Sequence, residues 1–433
     1  MSAPAVDVPL AAPAKTARRS TPLLDAAVLI PVLIAGAILR VFLAKTGHNY
    51  DMDCWQVAVD LMQQGRSVYA NTARYNYGPV WMLVLHGLRF LQDHTAQSLH
   101  ITGPEQFHVY VAGFLTLVDI AIALILAARF GTIAAIMFFL CPVSVLITGF
   151  HSQVDNFAVL FGLIGWCILR PPSVQTPSWT RTIIAGVVFG ISLATKHLLI
   201  FFPLWFLIGG RRALPPKRAL VLAILTYGVF AASFVPFALA PADRAGIVEH
   251  VLRYRSQVDT GSMFIRAIDM IVPYGIFERT QLLFHGAPNG LVLLFLSMML
   301  VTGRLVAVNR PAEMFWFYLI ALTAFSIAWA DQYLTIPLVA CVVYRRHWAS
   351  WMYILVSTAF LITSPRNLAA VGGRDFLYNL TGTATFKYYH ATFWLIPLLL
   401  KDWLPRLWRD HMVPIARSLL VFALRGEGGA TER

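Results

Sequence analysis

The fold is decided by one apolar stretch near the start of the chain, LLDAAVLIPVLIAGAILRVFLA at residues 23–44. A helix needs about 20 predominantly apolar residues to cross the hydrocarbon core of a bilayer, so this stretch is long enough to span it. It is too long for the apolar core of a signal peptide, and it lacks a small-residue cleavage site. We therefore expect a transmembrane helix that remains in the mature protein.

The composition extends this conclusion to the rest of the chain. Hydrophobic residues make up 58% of the 433 residues and charged residues only 13%, and the mean hydropathy is +0.66. A soluble domain would carry about 25% charged residues. The apolar residues cluster in blocks of about 15–25 residues, and lipid requires every backbone polar group to bond internally. The sequence therefore predicts an all-α, polytopic membrane protein.

The basic residues lie in short loops between the apolar blocks and indicate the orientation of the chain. Short cytoplasmic loops are enriched in Lys and Arg, so the net charge of +13 is explained without a nucleic-acid partner. Placing every basic cluster in the cytoplasm gives about twelve transmembrane helices with both termini inside. The expected spans are 24–44, 107–128, 131–149, 155–169, 182–195, 198–209, 218–239, 289–303, 313–330, 333–344, 349–364 and 391–403.

This topology places three long loops, 45–106, 240–288 and 365–390, on the noncytoplasmic face. Within the first of them, residues 79–93 are apolar but short and interrupted by Pro79, so we expect an interfacial or half-inserted helix there. The predicted organisation has four parts: a disordered cytoplasmic N-terminus (1–22), a catalytic transmembrane module (23–210), a C-terminal transmembrane module (211–410) and a cytoplasmic tail (411–433).

Two carboxylates in the first outer loop are the leading catalytic candidates. Asp51 and Asp53 follow the first span at a spacing of two, which lets both reach one ion or one polar ligand from a loop. One carboxylate would act as general base on a hydroxyl, and the other would hold a metal ion or the acceptor. The alternative is an ordinary solvated loop.

Cations at the same face are candidates for binding a phosphate. Lys196 and His197 interrupt an apolar stretch, where a charge is costly and marks a functional site by default. The alternative is a helix break with a snorkelling lysine. Arg255 and Arg366 lie in the other two outer loops, and arginine forks match phosphate oxygens. For Arg255, a solvated surface helix explains the sequence equally well.

Aromatic and polar residues at the outer face form the predicted substrate site. Aromatic rings suit stacking on the apolar faces of sugars, but an interfacial aromatic belt explains them equally well. Asp155 opens an apolar run, where capping of a helix N-terminus is the alternative. Signatures of soluble enzymes, such as a phosphate-binding loop or a nucleophile elbow, are absent. The predicted substrate-binding residues are Trp55, Tyr69, Tyr77, His151, Gln153, Asp155, Asp331 and Gln332.

Three elements of the first outer loop resemble those of a known family. They are Asp51-Met52-Asp53, Gly65-Arg66-Ser67-Val68-Tyr69 and Arg74-Tyr75-Asn76-Tyr77-Gly78-Pro79. Together they resemble the first lumenal loop of GT-C glycosyltransferases, in particular the catalytic subunit of glycosylphosphatidylinositol mannosyltransferase I and bacterial polyprenyl-phosphate-mannose mannosyltransferases. Val68 and Gly78 depart from the proline and threonine of that pattern. Residues 149–153 and 194–203 resemble two further conserved regions, so the resemblance covers about residues 45–210.

The resemblance implies a GT-C fold and the transfer of a hexose, with mannose preferred, from a polyprenyl phosphate to a lipid-linked or glycan acceptor. Asp51 would deprotonate the acceptor hydroxyl, and Lys196, His197 and the outer-loop arginines would stabilise the departing lipid phosphate. Magnesium or manganese on Asp51 and Asp53 would be the cofactor, although a lipid monophosphate donor does not require one. The expected setting is a bacterial inner membrane rather than the endoplasmic reticulum.

Two other classes of protein share parts of this pattern. A transporter or flippase for a lipid-linked or anionic substrate would also have many helices and a basic cavity, but its charges would be spread along several spans at mid-membrane. Here the charges concentrate at one face, which favours an enzyme. A non-catalytic membrane subunit of a glycan-assembly complex is the second alternative, and only activity of the purified chain excludes it.

Overall fold

The computed structural model describes residues 22–99, 103, 105–170, 177–253, 288–327, 330–363 and 388–401. Within these residues every regular element is helical, so the predicted all-α class is confirmed for this part of the chain. The predicted N-terminal segment, apart from Pro22, and the predicted tail 411–433 lie outside the described residues. Arg255 and Arg366 also lie outside the described residues.

In the part that the structure describes, the first half of the chain forms ten α-helices that pack together. These are α1 (Pro22–Ala44), α2 (Tyr50–Gln63), α3 (Val68–Asn71), α4 (Pro79–Thr95), α5 (Gln106–Phe130), α6 (Thr132–Leu140), α7 (Pro142–Gly149), α8 (Asp155–Leu169), α9 (Trp179–Thr195) and α10 (Phe202–Gly209). A one-turn 3-10 helix, His197–Leu199, separates α9 from α10.

The second half adds helices that pack mainly on α7 to α10. They are α11 (Pro216–Ser233), α12 (Pro241–Gly246), α13 (Pro288–Asn309), α14 (Met314–Phe325), α15 (Leu338–Val343), α16 (Trp348–Thr363), α17 (Tyr388–Phe393) and α18 (Leu395–Leu400). A wide helical turn, Ile247–Leu252, continues α12. The 3-10 helix Asp331–Thr335 precedes α15 and contacts α7 and α8.

Four helices are long and apolar enough to cross a membrane, and they coincide with α1, α5, α11 with the turn after it, and α13. Two bent pairs raise the count to six if each is one span: α6 with α7, bent by 51°, and α9 with residues 197–212, bent by 119°. The other predicted spans are also apolar helices, but they are only 10–17 residues long. Length and composition thus support four to six spans, and the twelve-span topology stays a prediction.

The first outer segment is more helical than the sequence predicted. Asn49 caps α2, since its side-chain oxygen accepts a hydrogen bond from the backbone N–H of Asp51 at 3.2 Å. Asp51 and Asp53 consequently lie in the first turn of a helix. The prediction that both project from a loop was wrong, and residues at spacing two on a helix do not face each other.

The predicted helix at residues 79–93 is observed as α4, and Gly78 packs its start against the end of α9. The backbone N–H of Gly78 donates to the carbonyl of Thr195 at 3.2 Å. A Cβ on Gly78 would lie only 1.9 Å from the carbonyl oxygen of Ala194. Only glycine permits this approach, which brings the segment before α4 beside Lys196.

Basic residues gather at the opposite end of the same helices. Arg345 donates to the carbonyl of Phe130 at the end of α5 (3.0 Å), and Arg304 donates to the carbonyl of Ile208 in the last turn of α10 (2.6 Å). Such bonds satisfy carbonyls that a helix C-terminus leaves without partners. Asp155 begins α8 and Arg170 follows its end, so the axis of α8, about 22 Å long, separates the acidic residue from the basic one.

Candidate active site

One end of the helices brings together five side chains from four parts of the chain. The start of α2 supplies Asp51, the turn before α8 supplies Gln153, and the start of α8 supplies Asp155. The residue after α9 supplies Lys196, and the 3-10 helix Asp331–Thr335 supplies Gln332. All five were predicted as site residues, and their side chains are linked in two groups by short contacts.

The carboxylate of Asp51 is the centre of the first group. Its Oδ2 accepts a hydrogen bond from the Nε2 of Gln153 at 2.6 Å and another from the Nε2 of Gln332 at 3.3 Å. Within the described part of the chain no group bonds to its Oδ1. Asp51 is half-buried and lies in the first turn of α2, where the helix dipole favours a negative charge. One carboxylate oxygen is therefore fixed and the other is available to a substrate.

A strained turn aims Gln153 at Asp51. Ser152 has a φ of 51°, a left-handed conformation that a residue with a side chain adopts at a cost and that often marks a functional site. The backbone N–H of Gln153 donates to the carbonyl of Ile147 at 3.1 Å. His151, in the same turn, accepts a hydrogen bond at Nδ1 from the side chain of Asn49 at 3.0 Å. The cap of α2 and the turn are thus joined, which fixes Asp51 relative to Gln153.

A buried ion pair forms the second group. The ammonium of Lys196 lies 2.8 Å from Oδ1 of Asp155 and donates a hydrogen bond to Oδ2 at 2.9 Å. It also lies 5.2 Å from the ring centroids of both Tyr77 and Tyr333, within cation–π range. Lys196 was predicted as a phosphate-binding cation, and the structure gives it a carboxylate partner. Any bound phosphate would have to share the ammonium with Asp155.

Tyr77 lies between the two groups. Burial, together with the negative charges of Asp51 and Asp155, raises the pKa of Tyr77 well above its usual value. The phenol therefore stays neutral. Both carboxylates therefore lie near the same ring, which places the two groups side by side.

Two aromatic residues predicted to stack on sugar are part of the interior instead. Trp55 is 0% exposed and Tyr69 is 1% exposed, which leaves no ring face open. Trp55 packs edge-on against Trp81 with centroids 5.0 Å apart. The hydroxyl of Tyr69 donates to the carbonyl of Tyr77 at 3.2 Å. In this structure both rings shape the segment that carries Tyr77, which is itself only 4% exposed and presents its ring to Lys196 rather than to a sugar.

A second buried ion pair lies behind the site, and the sequence analysis missed it. Arg40 of α1 and Asp119 of α5 are both fully buried with an N–O distance of 3.2 Å. The Oδ1 of Asp119 accepts from Asn156 at 2.7 Å, and Asn156 in turn accepts from Thr335 at 2.9 Å. Asn156 is next to Asp155, and Thr335 ends the helix that carries Gln332. Charged residues inside two membrane-length runs were the sequence signal for this pair.

The remaining predicted residues flank the site or contact other residues. His197 is half-buried at the start of the one-turn helix after Lys196, and Asp331 is half-buried beside Gln332. Asp53 points away from Asp51 and accepts a hydrogen bond from Nε2 of His48 at 2.9 Å. A metal ion shared by Asp51 and Asp53 does not fit this geometry. An apolar cleft of about 420 Å³ lies between α13, α14 and α18 and includes none of the site residues.

Comparisons with known proteins leave the function to be inferred from this geometry. No family model matches the chain, and no curated protein matches it. The resemblance of residues 45–210 to GT-C enzymes therefore stays an expectation drawn from the sequence. What the described residues supply independently is a half-buried carboxylate near a buried lysine, at the end of the helices opposite Arg304 and Arg345.

Proposed function

We propose that this chain is an integral-membrane glycosyltransferase that moves a hexose, with mannose preferred, from a polyprenyl phosphate to a lipid-linked or glycan acceptor. One observation carries the proposal. Asp51 has one oxygen held by two glutamine amides and the other open, beside a cation that could face a phosphate. A general base needs this combination of fixed orientation and access.

The geometry supports a single displacement. The acceptor hydroxyl gives its proton to Asp51 while its oxygen forms a bond to the anomeric carbon of the donor sugar. The bond from that carbon to the phosphate oxygen breaks, and its electron pair leaves with the phosphate. The products are the glycosylated acceptor and a polyprenyl phosphate, whose added negative charge Lys196 would stabilise. No step is assigned to a magnesium or manganese ion, because Asp51 and Asp53 diverge.

The transporter alternative gains one supporting observation. Arg40 and Asp119 are buried charges inside two candidate spans, which is where transporters place them. Their hydrogen bonds, however, run to neighbouring helices and to the residues behind the site. We therefore assign this pair to support of the site, and the assay below measures transport as well as transfer.

The decisive experiment uses the purified chain in proteoliposomes with radiolabelled polyprenyl-phosphate sugars and a pool of lipid-linked acceptors. We expect label to pass to an acceptor with the wild type, and to fall by about 10²-fold or more in Asp51→Asn, which keeps the shape of the side chain but not its basicity. Asp60→Asn is the matched control, since Asp60 lies on the same helix, is also half-buried and bonds only Gln56 in the described structure.

Two outcomes would contradict the proposal. Near-normal transfer by Asp51→Asn would exclude Asp51 as the base. Movement of intact labelled donor across the bilayer, without transfer to any acceptor, would favour the transporter.

A further inference from the structure

A second group of ligand-type side chains lies next to the site, on the far side of Asp53. His48 follows α1, Glu105 precedes α5 and His108 lies in the first turn of α5. One donor atom from each of these three residues lies within 4.8 Å of the other two. Nδ1 of His48 is 2.7 Å from Oε2 of Glu105, and Nδ1 of His108 is 3.4 Å from that same oxygen.

These separations suit a small metal ion. Zinc bonds to imidazole nitrogen and carboxylate oxygen at about 2.0–2.2 Å, so two tetrahedral ligands lie about 3.3 Å apart. The His108–Glu105 distance already has this value, and the His48–Glu105 distance needs to open by only about 0.6 Å. The spacing Glu105-x-x-His108 places both ligands on one side of the helix start.

The orientation of His48 adds a second argument. Its Nε2 faces Oδ1 of Asp53 at 2.9 Å, while its Nδ1 faces Glu105. A carboxylate that accepts the other ring N–H is the usual partner of a metal-binding histidine, because it fixes the tautomer and the ring orientation. Asp53 therefore occupies the supporting position, and it cannot bind the same ion as Nδ1.

His108 supplies the independent evidence for a ligand. Its side chain is only 1% exposed. Glu105 and the backbone of Ala44 lie near its ring nitrogens, but within the described residues neither nitrogen makes a hydrogen bond of good geometry. A buried polar group that is poorly bonded is costly and calls for an explanation such as an ion. The Nδ1 of His108 is directed at Glu105, at ion-pair distance but without hydrogen-bond geometry.

We propose that His48, Glu105 and His108 bind one zinc ion, with Asp53 as the residue that orients His48. Two imidazoles and one carboxylate favour zinc over magnesium or calcium. Three protein ligands leave a further position for water or another oxygen donor. The ion joins the segment after α1 to the start of α5. Because His48 lies three residues before Asp51, the ion also restrains the start of α2. Zinc binding does not depend on the proposed transfer reaction.

The test is a zinc titration of the full-length, detergent-purified chain after metal removal, followed by calorimetry and by measurement of bound metal. We expect one zinc per chain in the wild type, and cobalt substituted for it should show the visible absorption bands of a four-coordinate nitrogen and oxygen site. His48→Ala removes an exposed ligand and should abolish stoichiometric binding. Asp53→Asn should weaken binding by about 10–100-fold.

Matched variants make the result decisive. His86→Ala removes an exposed histidine on α4 and should bind zinc as the wild type does. Glu105→Gln is the second ligand variant, used with a gel-filtration check of folding in case His48→Ala disturbs the fold. Equal zinc affinity in His48→Ala, Glu105→Gln and His86→Ala would overturn the proposal, as would less than one zinc per wild-type chain. Unchanged affinity in Asp53→Asn would remove Asp53 from it.

Discussion

Two buried ion pairs differ in how many hydrogen-bond partners surround their charged groups. In the Arg40–Asp119 pair, the guanidinium also donates to the carbonyls of Gly36 and Phe139, and Asp119 accepts from four side chains. In the Lys196–Asp155 pair, the ammonium has one carboxylate and two ring faces. Within the described residues the first pair leaves only the buried Nε of Arg40 without a partner, so it has little capacity left for a ligand. The second retains capacity and lies beside half-buried Asp51, so it is the pair that a substrate phosphate could enter.

The largest expected effect comes from breaking the Arg40–Asp119 pair. Arg40→Met keeps an unbranched apolar stem but leaves Asp119 buried without its cation, which costs about 3–5 kcal/mol. We expect a strongly lowered melting temperature in detergent and poor recovery of protein. Arg40→Met with Asp119→Asn should recover part of the stability, because no buried charge is then left unpaired.

A wild-type melting temperature in Arg40→Met would show that the Arg40–Asp119 pair is dispensable for the fold. Lys45→Met is the control, since Lys45 is exposed just after α1. It should melt as the wild type does.

Breaking the Lys196–Asp155 pair should affect substrate binding as well as stability, because Lys196→Met also leaves a buried carboxylate without its cation. The substitution keeps the aliphatic part of the side chain but removes the charge, so the KM for the polyprenyl-phosphate donor should rise by about tenfold or more, the equivalent of one charged hydrogen bond. The KM for the acceptor should not change. Steady-state kinetics in proteoliposomes, with each substrate varied in turn, measure both values.

The comparison fails if Lys196→Met lowers the melting temperature but leaves the donor KM unchanged, or if only the acceptor KM changes. In the first case Lys196 is a structural residue like Arg40. In the second, the phosphate site lies elsewhere.

The two pairs also show what the sequence could and could not predict. Apolar runs predicted the helices closely: the expected span 155–169 is α8, and 107–128 lies within α5. Asp51, Gln153 and Lys196 were identified from charge or polarity next to apolar runs, which is a local signal. The partner of each residue was not predictable, because it depends on how the helices pack. Arg40 and Asp119 are 79 residues apart and Asp51 and Gln332 are 281 apart.

The errors in the prediction share a physical cause. Asp51 and Asp53 were expected to converge, but the Asn49 cap starts a helix there and turns them apart. That cap is held by His151, 102 residues further along the chain. Trp55 was expected to face substrate, but it packs on Trp81 of α4. In each case a contact between distant segments decides which way a side chain points, and composition carries no information about that contact.

The smallest expected effect distinguishes the two glutamines that hold Asp51. Gln153 donates to Oδ2 at 2.6 Å, a short bond to a charged acceptor, whereas Gln332 donates at 3.3 Å. Both bonds run to a charged acceptor, for which a well-formed hydrogen bond contributes about 1.5–3 kcal/mol, but the bond from Gln332 is longer than the usual N–H···O range and therefore weaker. Gln153→Met should therefore lower kcat by about 10–100-fold, and Gln332→Met by about tenfold or less. Both KM values should stay constant if the amides only orient the base.

Gln56→Met, which removes an amide bonded to Asp60 on the same helix, should leave kcat unchanged. Equal losses in the two glutamine variants would mean that Asp51 is not oriented by its short bond to Gln153. A larger loss in Gln332→Met would place the productive contact on the 3-10 helix Asp331–Thr335, and the open oxygen of Asp51 would then have to be reassigned.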